Sequence, residues 1–189
     1  MFEGLAKLFH GHEDSLDALQ KPARLKLRAR VSSSNDVRSP FSGSSAAFFL
    51  IQFKVEQPSP NDRPGVIYVP VGSAAWGDEL RIEQGGNEAL LPKGRFTVEF
   101  EGALGHGVSL DQALPPSFEW IARSPLLQTG TLFYDELSLS KGEEVTVVAH
   151  FERRAQGAGY RDASAGEGTP FVARPDLGPV AVRYRMPSF

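Results

Sequence analysis

Hydrophobic positions in this chain change period early and then hold the new one. Phe2, Leu5, Leu8 and Phe9 are spaced three and four apart, which predicts a short amphipathic helix with its apolar side chains on one face. Gly11 breaks that pattern, Ser15 can cap a further turn through Leu16 and Leu19, and Pro22 closes the helical stretch. From Ala23 the period is two. Leu25, Leu27, Ala29 and Val31 alternate with Arg24, Lys26, Arg28 and Arg30, as in a strand with one buried and one wet face.

The same alternation recurs to the C-terminus. Phe49, Ile51, Phe53 and Val55 share one side of a strand that Phe48 and Leu50 make apolar on both sides at its start. Val66–Val71 predicts a strand that Pro70 confines to an edge or a bulge. Segments 78–83 and 88–91 pair across Gly85-Gly86-Asn87, a tight-turn sequence. Phe96, Val98 and Phe100 predict a further inward face, and Pro115–Arg123 a short helix. Residues 131–140 and 144–153 are expected to form a hairpin over Lys141-Gly142-Glu143, and Val180, Val182 and Tyr184 a closing strand. The Gly-rich run 156–169 reads as a loop.

About eight strands with short helices and Gly/Pro-rich turns predict a mainly β fold, an antiparallel OB-like, partly open barrel, with a β-sandwich as the alternative. Residues 1–22 form an amphipathic N-terminal extension and 23–189 a single β-domain. Composition agrees: 189 residues at 41% hydrophobic suffice for one core without staples. Zero Cys excludes disulfides, thiolate metal sites and cysteine nucleophiles. A net charge of −3 provides no overall basic field for nucleic acid. No run approaches the roughly 18 apolar residues of a spanning helix, and the N-terminus lacks a secretory pattern, so the expected location is cytoplasmic, if need be peripheral to a membrane or assembly.

Ser39-Pro40-Phe41-Ser42-Gly43, followed at once by a hydrophobic strand ending in Val55-Glu56, resembles the opening of the GIDE domain, also called BAM for "beside a membrane". Glu136-Leu137-Ser138-Leu139-Ser140-Lys141-Gly142-Glu143, followed by Val145, Val147 and Val148, is similar to that family's second element. The resemblance spans about residues 24–153. Ala46 stands where the family pattern has Cys, Glu83-Gln84-Gly85-Gly86 is the counterpart of its central acidic-Gly segment, and neither a RING domain nor transmembrane segments accompany it. Membrane topology and ubiquitin-ligase activity are therefore not carried over. The resemblance implies an OB-like fold and a role in recognition.

Candidate chemistry is sparse. His10-Gly11-His12-Glu13 is the nearest approach to a metal cluster, yet it lacks a third ligand at suitable spacing, and His106 and His150 read as surface residues. Glu99 with Glu101, Asp135 with Glu136, and Glu143 with Glu144 are paired carboxylates on strand exteriors or turns, where water is their ordinary partner. Ser42 is outside any Gly-x-Ser-x-Gly elbow, and its expected task is to bond turn amides while Gly43 takes a conformation closed to larger residues. No catalytic residue, metal or cofactor is expected. The expected function is non-enzymatic recognition of a protein partner, with Phe2, Leu5, Leu8 and Phe9 as the contact and a peripheral membrane contact as a further option. The alternative is an OB-like module for nucleic acid or a small anionic ligand. Arg28, Arg30, Arg183 and Arg185 would supply its charge and Tyr184 its stacking platform.

Overall fold

Most of the alternating segments become strands: β1 (Ala23–Ser34), β2 (Val37–Arg38), β3 (Ser45–Ala46), β4 (Phe48–Pro58), β5 (Val66–Gly77), β6 (Leu80–Gln84), β7 (Asn87–Leu91), β8 (Thr97–Glu101), β9 (Val108–Ser109), β10 (Thr131–Leu139), β11 (Glu144–Arg153), β12 (Phe171–Ala173) and β13 (Ala181–Arg185). Among the described residues, single 3-10 turns at Leu16–Ala18, Pro116–Phe118 and Pro125–Gln128 and one α-helical turn, α1 (Glu119–Ala122), complete the elements. The structure is a computed structural model and describes residues 13–34, 36–59, 65–77, 79–101, 107–110, 113–128, 130–154 and 170–186. The expected helix bearing Phe2, Leu5, Leu8 and Phe9, the histidines 10, 12 and 106, and the Gly-rich run 156–169 lie outside the described residues.

The fold is mostly β, with a closed five-strand barrel. β1 pairs with β6 and β11, β6 with β7, β7 with β12, and β12 with β11, which returns the ring to β1. Counted in chain order, the five strands run 1-2-3-5-4 around the barrel, an OB-like connectivity. A register shift between Val31 and Ser33 lets β1 serve both neighbours: Ala23–Arg30 face β11, while Arg30–Ser34 face β6. A bulge bends a strand in this way. Most ladders are antiparallel as expected; β7–β12 and β8–β13 are parallel, since long excursions rather than hairpins join those strands. The β6–β7 hairpin forms where Gly85 and Gly86 supply φ values of 60° and 82°.

Leu27, Val31, Ile82, Leu91, Val147 and Phe151 fill the barrel, and Leu16 and Leu19 belong to the same core. The Leu16 amide donates to Gln84 Oε1 at 3.0 Å, so the packed unit begins N-terminal to Ala23. Leu16 is fully buried, which contributes about 1.5–3 kcal/mol.

A second sheet, ordered β5-β4-β10-β9, is built from the stretches between β1 and β6 and between β7 and β11. It has its own core, in which Ile51, Phe53, Val55 and Leu132 meet Phe118 and Ile121. Two expectations change here. β4, expected within the barrel, is an inner strand of this sheet instead, held by an eleven-residue ladder with β5 on one side and on the other by a nine-residue ladder with β10 that runs from Glu56↔Thr131 to Phe48↔Leu139. Lys141-Gly142-Glu143 closes no hairpin. Gly142 N–H donates to the Val31 carbonyl and Val31 N–H to the Glu143 carbonyl, at 2.8 and 2.9 Å, so the turn passes the chain from the second sheet into the barrel.

Candidate functional site

β5 occupies one end of the second sheet, and among the described residues its strand partner is β4 alone. Its twelve residues, Val66 to Gly77, carry no charged side chain. Natural edge strands are ordinarily guarded by charge, proline or a bulge. β5 has the last two: Pro70 stands opposite Lys54, and the register shifts between there and Gly72 opposite Phe53. The expectation that Pro70 marks an edge or bulge is met on both counts.

Three of the five exposed large apolar side chains among the described residues lie beside this edge, the others being Val108 on β9 at the opposite edge and Leu177. Val66 is 53% exposed, Ile67 38% and, on α1, Trp120 44%. Trp120 lies across the strand at Gly72, where an added Cβ would fall 2.6 Å from its ring. The inner side of that ring meets Phe53 edge-on at 6.4 Å between centroids. The bare backbone at Gly72 thus admits an aromatic ring whose other side faces water. The sequence pattern predicts this strand only as far as Val71 and places Trp120 in a short helix without a role; the signal in the sequence is the long uncharged run from Val66 to Gly77.

The Ser39–Gly43 loop is anchored from within. Phe41 stacks on Tyr134 at 4.5 Å and packs against Phe118 and Phe53 at 5.2 and 5.8 Å, plugging the second core. Around it the Glu136 carboxylate, on β10, accepts from the Ser39 hydroxyl, the Ser42 hydroxyl (2.5 Å) and the Ser44 hydroxyl (3.3 Å). Ser39 is buried, and its oxygen also accepts from the amides of Phe41 and Ser42 at 3.0 and 3.2 Å. Gly43 has φ 69°, as its expected turn role requires. With its lone pairs engaged by these hydroxyls, Glu136 is a tether for the loop.

The expected anion-binding residues converge only in part. Arg28 and Arg30 line a shallow depression of about 340 Å³ on the barrel wall, and Arg28, Arg183 and Arg185 line a second of about 350 Å³. Carboxylates interleave with them. Arg28 pairs with Glu144 at 2.5 Å, and Arg183 with Glu99 and Glu101 at 3.2 and 2.9 Å. The proposed stacking role of Tyr184 is corrected: the ring is 7% exposed within the barrel core, and its hydroxyl donates to Glu143 Oε1 at 2.6 Å. Burial first, then this bond, pushes the Tyr184 hydroxyl up to about 12. No aromatic ring lines either depression among the described residues, so single-stranded bases find no platform there.

The remaining paired carboxylates also have local partners. Asp135 pairs with Lys54 at 2.8 Å, both side chains largely covered, and Glu143 accepts from the Ser140 amide as well as from Tyr184. His150 is half-buried on β11, and a Cβ on Gly178 would lie 3.1 Å from its Nδ1. Among the described residues no three His, Asp or Glu side chains gather as a metal site, and no helix is long and apolar enough to cross a membrane. No protein-family model matches the chain, and no curated protein or solved structure matches it significantly.

Proposed function

We propose that this chain is a non-enzymatic recognition and scaffolding domain that binds a protein partner in the cytoplasm, within a larger or membrane-adjacent assembly. The observation that carries the reading is the edge of β5: a long uncharged strand without a second strand neighbour among the described residues, flanked by exposed Val66, Ile67 and Trp120. An extended segment laid along such an edge gains main-chain hydrogen bonds, and side chains beside it fill flanking apolar surface. Trp120 over Gly72 is the aromatic anchor that a contact of this kind uses. Phe2, Leu5, Leu8 and Phe9 remain a second proposed contact, for a protein groove or a membrane surface.

Membership in the GIDE family is part of the proposal. Its support is that the two segments carrying the resemblance, Ser39–Gly43 and the stretch opening at Glu136, bond directly to one another. The alternative, binding of nucleic acid or a small anion, draws on the arginine-lined depressions of an OB-like barrel. The interleaved Glu99, Glu101 and Glu144 weigh against it.

Affinity capture with three forms of the chain tests the reading: wild type, a form lacking residues 1–12, and Ser73→Lys/Ala75→Lys on the exposed side of β5. Loss of a captured protein with the edge variant assigns the contact to β5, and loss with the deletion assigns it to Phe2, Leu5, Leu8 and Phe9. Capture unchanged in both removes the proposal. Salt-sensitive binding of single strands, abolished by neutralising Arg28 and Arg30, would establish the alternative instead.

A further inference from the structure

We draw no further inference here: the strongest candidate, the depression of about 350 Å³ on the barrel wall between β1, β11 and β13, belongs to the alternative anion site already described, and its Arg28 and Arg183 are already paired with Glu144, Glu99 and Glu101.

Discussion

Removing the Glu136 carboxylate tests whether the Ser39–Gly43 loop is held in the way the structure describes. Glu136→Ala deletes the acceptor for three serine hydroxyls and leaves the buried Ser39 hydroxyl without its side-chain partner. A hydrogen bond to a charged group contributes about 1.5–3 kcal/mol. The Ser44 hydroxyl and Ser42 amide contacts are long, at 3.3 and 3.4 Å, so the loss rests on Ser39 and Ser42. Ser42 is exposed and water replaces part of its bond, which brings the expected cost to about 2–4 kcal/mol. For a chain of this size that lowers the thermal midpoint by about 4–12 °C. Glu136→Gln keeps one oxygen acceptor and should lose about half as much.

Urea unfolding and thermal melts measure these differences, with Ser138→Ala, exposed on the same strand, as the control. A double-mutant cycle with Ser39→Ala should be non-additive, since both changes break one contact. Limited proteolysis should accelerate between residues 36 and 47 as Phe41 loses its hold on the second core. A Glu136→Ala loss no larger than that of Ser138→Ala, or strict additivity in the cycle, would refute the tether.

Leu16→Ala should destabilise by about 2–5 kcal/mol in urea unfolding, because a fully buried side chain leaves a cavity between the N-terminal turn and the barrel; a neutral result would return residues 13–20 to an undocked extension. Tyr184→Phe should cost about 1–2 kcal/mol near neutral pH through the lost bond to Glu143. The raised Tyr184 value also fixes a sign. The unfolded tyrosine ionises near 10 and the folded one near 12, so its stabilisation is complete below about pH 10 and is lost as pH rises toward 12. Tyr68 and Tyr134 are also raised, by burial first and then by Glu56 and Glu136, so tyrosinate absorbance should show a late-titrating component that Tyr184→Phe reduces at its alkaline end, and an unchanged alkaline profile would contradict the burial of Tyr184.

The sequence by itself determined the longer strands, most of their buried faces and the β6–β7 turn, whereas β2, β3, β9 and the barrel strand β12 are two or three residues long, too short to show a period. Alternation reports which side of a strand is apolar, and Gly85-Gly86 reports a turn that few other pairs can adopt. It also marked Pro70 as belonging to an edge or bulge, since a missing N–H is excluded from an inner ladder. It did not determine partnership. The pattern of β10 fits pairing with β11 across Lys141-Gly142-Glu143 as well as it fits the actual ladder with β4, because alternation encodes faces and leaves neighbours open. Tertiary structure alone sorted the strands of the described residues into a barrel and a second sheet and drew Leu16 and Leu19 into the barrel core, while the burial of Tyr184 follows the alternation that sets it beside Val180 and Val182 and overrides its basic neighbours. It also brought Glu136 to serines about 95 residues away in the chain, and it left β5 at an edge. These are consequences of long-range packing, which no local window of residues contains.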